Sequence, residues 1–181
     1  MQHDLSSTIA LLARTPATLN ALLRDLPDAW TQTNEGGDTW TARVVVGHLA
    51  HCEVVDWMPR IRRILADGES RAFDPLDRFA FEREGEGRSL SDVLDEFARL
   101  RAQNLDELRD LRLTPAQLSL RGLHPAFGSV TLAQLLAAWA AHDLTHLHQI
   151  SRILAHQYRD AVGPWTRFLG VYQCAGHSAP A

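Results

Sequence analysis

The chain has 181 residues, enough for a single domain over residues 1–181 that buries its own core without staples. Its formal net charge is −4 with no long basic run, which speaks against nucleic acid or an anionic membrane surface as a partner. All 18 basic residues are arginine, and the absence of lysine excludes Schiff-base and P-loop chemistry.

In chain order the sequence reads as helices joined by polar loops, with no convincing strand. Asp4 to Arg14 carries Leu5, Ile9, Leu12 and Ala13 at helical spacing. Thr15-Pro16 reads as an N-cap and a first-turn proline, and a second piece through Leu19, Leu22, Leu23 and Leu26 stops at Pro27. Residues 28–38 read as a loop ending in Gly36-Gly37. A long helix is expected from Ala42 to about Ala66, bent at Pro59 and stopped at Asp67-Gly68. Its apolar stripe is Val45, His48, Leu49, Cys52, Val55, Ile61, Ile64 and Leu65, so a histidine occupies a core position.

Residues 69–88 are rich in charge, glycine and proline, with Phe73, Phe79 and Phe81 interspersed. A connection of that length is of the kind that shapes a site entrance or an interface. Ser89-Leu90-Ser91-Asp92 starts a third helix through Val93, Leu94, Phe97, Leu100, Leu105, Leu108 and Leu111. Thr114 with Gln117 forms a capping box for a short helix, and Gly122 to Val130 reads as a loop. Thr131 with Gln134 forms a second box and launches a helix to about His156. After Tyr158, Pro164-Trp165 opens a last helical piece to about Cys174, with a frayed tail beyond. Four main helices with one long connection describe an all-α four-helix bundle.

Within the fourth helix, steps of three and four give Leu132, Leu135, Leu136, Trp139, His142, His146, Ile150, Ile153 and Leu154. His142 and His146 lie one turn apart on that stripe, where periodicity predicts core. Buried imidazoles need partners for their ring nitrogens, and two adjacent ones suggest a shared cation. The alternative is a pair of core histidines, each satisfied by its own acceptor. A third ligand must come from elsewhere, and His48 can converge on the pair if the second and fourth helices are neighbours. Three imidazoles leave a fourth position open, the catalytic pattern for zinc. Imidazole also suits nickel, copper and iron, so the ligand set does not identify the metal, with zinc and nickel the first expectations.

Two stretches carry a family resemblance. Trp40 to Glu53, Trp-Thr-Ala-Arg-Val-Val-Val-Gly-His-Leu-Ala-His-Cys-Glu, resembles the Trp…His-Leu-x-x-x-Glu segment of the DinB-like superfamily. Trp139 to Arg152 resembles its His-Asp-x-x-His-x-x-Gln-Ile segment, and His124-Pro-Ala-Phe-Gly and Gly163-Pro164-Trp165 are similar to further parts of that group. The resemblance covers nearly the whole chain, and its most specific part is the histidine spacing. It implies a four-helix bundle holding one divalent metal ion per chain on His48, His142 and His146. Characterised members of the superfamily include bacillithiol S-transferases and mycothiol-dependent maleylpyruvate isomerases.

Other residues have competing readings. Cys52, one turn after His48, is either a fourth ligand or a small buried hydrophobe. His51 belongs either to the pocket rim or to the solvated surface. Asp143 points about 100° away from His142 and does not share its metal, though it could orient a ring nitrogen from another helix. Glu53 and Arg152 are expected to pair as a clamp between helices two and four. His124, His148 and His156 fall off the stripe and are expected to face solvent, while Trp40, Trp139 and Trp165 read as core.

Two functions follow. In the first, the metal ionises a low-molecular-weight thiol that attacks a small electrophile, with no side-chain nucleophile evident. In the second, a closed site makes the domain a structural or stress-response module acting through oligomerisation, in which a homodimer would fit. Only two cysteines, Cys52 and Cys174, occur, so a disulfide framework is not expected. With neither a leader-like N-terminus nor a membrane-length apolar segment, a cytoplasmic location is expected.

Overall fold

The computed structural model describes residues 4–76 and 87–174. Phe79 and Phe81 of the long connection lie outside the described residues. The chain forms helices α1 (Leu5–Leu12), α2 (Thr15–Leu23), α3 (Asp28–Thr31), α4 (Ala42–Val55), α5 (Trp57–Asp67), α6 (Leu90–Asp110) and α7 (Pro115–Leu118). A hairpin of β1 (Arg121–His124) and β2 (Gly128–Thr131) leads into α8 (Leu132–His156) and the short α9 (Arg159–Val162). Two 3-10 turns, Gly163–Arg167 and Gly170–Tyr172, follow.

The helix starts follow from local chemistry. Ser89 and Asp92, Thr114 and Gln117, and Thr131 and Gln134 each form a reciprocal capping box at the head of α6, α7 and α8. Asp4 accepts from the Ser7 N–H, which holds its carboxyl down at about 2. Thr15 departs from the sequence reading. It lies inside α2, buried, and its side chain caps nothing, because Ala13 and Arg14 keep right-handed helical dihedrals and carry the turn across the junction. Residues 28–31 form a helical turn where a loop was expected.

The long second helix is interrupted at Asp56, whose dihedrals (φ −110°, ψ −74°) stay in the right-handed helical region but away from its centre, the bend expected of Pro59. Pro59 has no N–H to give to Val55, and its ring crowds that carbonyl, so α4 ends at Val55 and α5 begins at Trp57. Gly68 closes α5 at φ 58°, a conformation glycine adopts without a Cβ penalty.

The bundle comprises α1–α2, α4–α5, α6 and α8. Helix α4 packs on both α6 and α8, α1 on α8, α2 on α6, and α5 on α8. Buried apolar residues form two clusters. One gathers Leu12, Trp57, Met58, Ile61, Leu105, Leu108, Leu135 and Trp139; the other gathers Leu19, Leu23, Val45, Leu49, Phe97, Ile150 and Ile153. Each such side chain contributes roughly 1.5–3 kcal/mol by leaving water. In α6 and α8 the buried polar residues Arg101, Asp143, His146 and Gln149 fall between the two clusters.

Residues 121–131 are a hairpin, not a loop. Its four-residue strands lack a clear two-residue alternation, and docking supplies what the sequence pattern does not. Leu123 pairs with Ala72, and its carbonyl accepts from the Phe73 N–H at 2.9 Å. The helical piece expected from Pro164 to about Cys174 forms as the two 3-10 turns. Its turns are fastened by Tyr172 Oη donating to the Ala155 carbonyl at 2.8 Å, and Trp165 is 66% exposed rather than core.

Gly122 is the tightest point of this docking, because a Cβ there would stand 2.6 Å from Ile64 Cγ1 and 2.9 Å from the Phe73 ring. Gly122→Ala is expected to cost about 1–3 kcal/mol of stability through forced repacking. Denaturant unfolding measures it, and a midpoint equal to that of the parent protein would show that the hairpin does not seat there.

Candidate metal centre

The three stripe histidines meet in the bundle interior. His48 comes from the middle of α4, while His142 and His146 come from successive turns of α8. His142 Nε2 lies 3.2 Å from His48 Nε2 and 3.1 Å from His146 Nε2. His48 and His146 are buried and His142 is half-buried. Their ligand atoms form a group, all within 4.8 Å of one another, that could hold a metal ion.

Proton placement supports that use. His146 Nδ1 lies 2.8 Å from Gln149 Oε1, an acceptor, so Nδ1 carries the hydrogen and Nε2 presents its lone pair to the other two rings. His142 Nε2 can carry at most one hydrogen, which cannot point at both neighbours. A cation among the three accepts all three lone pairs. At a nitrogen–metal distance of about 2.1 Å the edges between ligand nitrogens run from about 3.0 to about 3.4 Å, for right-angled to tetrahedral sites. The two spacings to His142, 3.2 and 3.1 Å, fall in that range, and the residues present fit a metal ion.

Aromatic rings wall the group. Trp40 packs on His48 with centroids 5.0 Å apart and stacks on His146 at 6.3 Å. Trp57 meets His142 edge-on at 5.2 Å and stacks on Trp139 at 5.7 Å. The break at Asp56 places Trp57 in the first turn of α5, so Pro59 bears indirectly on the site.

Cys52 is buried with its Sγ 3.6 Å from His48 Nε2, yet it is not a member of the three-histidine group. Burial pushes its thiol up, and the charges of Asp56 and Glu53 add to that push. His51 is half-buried outside the group.

The expected Glu53–Arg152 clamp does not form. Arg152 instead binds Glu35 at 2.8 and 2.9 Å, and Glu53 binds Arg101. Asp143 does not orient an imidazole; both its oxygens accept from Arg101, at 2.6 and 2.9 Å. His124, His148 and His156 are half-buried rather than solvent-facing. His124 Nδ1 accepts the backbone N–H groups of Ala126 and Phe127, and burial lowers its pKa, helped by the nearby Arg60 charge.

Arg101 is the buried residue that the sequence reading passed over. Its side chain is 1% exposed. Burial alone would lower its pKa, but the hydrogen bonds and charges of Asp143 and Glu53 outweigh that and hold it above the usual arginine value. Burial pushes the Glu53 carboxyl up, and Arg101 and Asn104 pull against that push. Arg101 Nε and Nη2 and Trp139 Nε1 all donate to Glu53 Oε1, and Asn104 Nδ2 donates to Oε2, an arrangement that suits the ionised carboxylate. A signal was available. Leu94, Phe97, Arg101, Leu105 and Leu108 follow steps of three and four, which places an arginine on the core stripe of α6.

This is a helical bundle with a buried three-histidine cluster able to hold a metal ion. The chain belongs to the DinB superfamily, whose family model matches residues 11–150. Among solved structures it is similar to YfiT from Bacillus subtilis, described as a probable metal-dependent hydrolase with an unusual four-helix bundle topology. The two are 24% identical over 89% of each chain, with a TM-score of 0.74, a likeness of fold. No curated protein matches the chain. No helix among the described residues is long and apolar enough to cross a membrane.

Two outcomes test the centre. Metal content measured on purified variants is expected to fall to near zero in His146→Ala and to stay at the parent level in His148→Ala; equal loss in both would remove the assignment. Arg101→Met strands two buried carboxylates and is expected to cost about 3–5 kcal/mol near neutral pH. With its arginine gone, the Glu53 carboxyl titrates above its unfolded value of about 4.3, so the folded state binds more protons. Stability of the variant relative to the parent should therefore recover as pH falls from 7 towards 5. A deficit that stays constant over that range would mean that the carboxylates are not stranded.

Proposed function

We propose that this chain is a metal-dependent S-transferase in which His48, His142 and His146 hold one divalent cation. The observation that carries the proposal is the convergence of the three imidazoles with Cys52 outside their group, which supports a site of three protein ligands and an open fourth position. Zinc and nickel are the metals that three imidazoles in such a setting suit first. When bound, the cation would lower the pKa of a low-molecular-weight thiol entering the open position, from about 8.5 to below neutrality.

The chain's own groups account for the rest. Gln149 holds His146 in the tautomer that ligates. The indoles of Trp40 and Trp57 exclude water from two sides of the imidazoles and strengthen electrostatics there. The thiol proton leaves to solvent, the sulfur forms a new bond to the electrophilic carbon, and the leaving group departs with its electron pair. The description of YfiT as a hydrolase raises water as the alternative nucleophile. Water bound to such a cation would ionise only at about pH 7, so a base within reach would help it more than it helps a thiol that ionises below neutrality there. Glu53 and Asp143 are held by Arg101, and Asp56, buried at the end of α4, pairs with Arg60, so the buried carboxylates of the two histidine-bearing helices are withdrawn from that work. This favours the thiol.

The test uses cobalt(II) in place of the native metal and a panel of low-molecular-weight thiols. A sulfur-to-cobalt charge-transfer band is expected only after a thiol is added, and it should persist in Cys52→Ala. A band present without added thiol and lost in Cys52→Ala would mean a closed site, leaving a structural role.

A further inference from the structure

We infer that Arg101, on a helix that carries no ligand, is a positioning residue of the metal centre: its guanidinium fixes the spacing between the two helices that bring the histidines together. The inference rests on the proposed ligand set His48, His142 and His146.

The geometry is specific. Arg101 Nε and Nη2 donate to Glu53 Oε1 at 3.0 and 2.8 Å, Nη1 and Nη2 donate to Asp143 at 2.6 and 2.9 Å, and Nη1 donates to the Leu12 carbonyl at 2.9 Å. These five bonds match the five N–H groups of a guanidinium. Glu53 follows His48 by five residues on α4, and Asp143 is next to His142 and three before His146 on α8. The planar fork therefore spans α4 and α8 at the level of the ligands. Trp139 ties the two systems further, because its indole N–H donates to Glu53 while its ring stacks on Trp57, the residue edge-on to His142. A shift of a few tenths of an ångström between α4 and α8 would open the 3.2 Å separation of His48 and His142 directly.

A structural role alone and a positioning role make opposite statements about metal affinity. The cluster carries one more negative than positive charge. Removing the arginine charge therefore adds to the anionic field near the cation and, by charge alone, would tighten binding. If the fork sets the ligand spacing, binding weakens in spite of that field. Arg101→Lys separates the effects differently, because it keeps the charge and loses the bidentate geometry.

The experiment measures metal dissociation constants by chelator competition, and the ligand-field spectrum of the cobalt(II) form, on folded parent, Arg101→Met, Arg101→Lys and Gly122→Ala proteins. Both Arg101 variants are expected to bind metal about 10–100-fold more weakly, with an altered cobalt spectrum. Gly122→Ala, destabilised at the hairpin, which contributes neither a ligand nor a bond to the Arg101 fork, is expected to match the parent in both readouts. Where Arg101→Met does not fold, Arg101→Lys carries the test. Unchanged or tighter binding with a parental spectrum in the Arg101 variants would overturn the inference and leave Arg101 purely structural. A parent that binds no metal, or a His146→Ala variant that binds as the parent does, would instead overturn the ligand set, which is a different and recognisable failure.

Discussion

A single guanidinium meets all four layers of the bundle. Arg101 stands on α6 and reaches the Leu12 carbonyl of α1, Glu53 of α4 and Asp143 of α8. Burying three charged groups costs several kcal/mol per ion in lost hydration, and only near-complete hydrogen bonding recovers it. That recovery requires each helix to be at one height and one rotation, because the guanidinium is planar and its donors point in fixed directions. Apolar packing alone tolerates small sliding and rotation of helices. Here the polar layer, set between two apolar clusters, selects among the packings that those clusters allow.

The same layer explains how a bundle can hold imidazoles without burying an uncompensated field. Three neutral rings bring no charge of their own, and a divalent cation among them would be poorly solvated in an apolar core. The Glu53–Arg101–Asp143 cluster supplies a surplus negative charge inside the same interior. Gln149 contributes a neutral acceptor to His146, and the tryptophans contribute bulk without competing ligand atoms. Protein dipoles and charges fixed by folding are thus in place before any ion arrives.

What was legible in the sequence was what depends on local spacing. The capping boxes at Ser89, Thr114 and Thr131 need only residues three apart, and all three form. The pairing of His142 with His146 follows from one helical turn. Bringing His48 to them required knowing that α4 and α8 are neighbours, which family resemblance supplied and periodicity could not. The less legible features depend on distant partners. Glu53 has an arginine available in Arg101 and another in Arg152, and sequence distance does not rank them. The hairpin at 121–131 depends on Leu123 and Gly122 docking against Phe73 and Ile64, so its short strands carry almost no pattern of their own. Trp165 shows the converse, since a large indole predicts core only where a neighbouring surface exists to cover it.

The break between α4 and α5 joins these threads. Pro59 distorts the helix at Asp56, and an undistorted helix would carry Trp57 on a different bearing from the one that meets His142. At the break, Asp56 is buried and pairs with Arg60 at 2.5 Å, four residues on in α5, so the cost of interrupting the helix is met partly by an ion pair across the new turn. Arg60 in turn lies over the Phe73 ring, and Phe73 is the residue on which the hairpin docks. A backbone constraint set by one proline is therefore passed through Trp57 to the histidines on one side and through Arg60 and Phe73 to the hairpin on the other. The centre is built on helices, but its wall is aimed by a place where the helix fails.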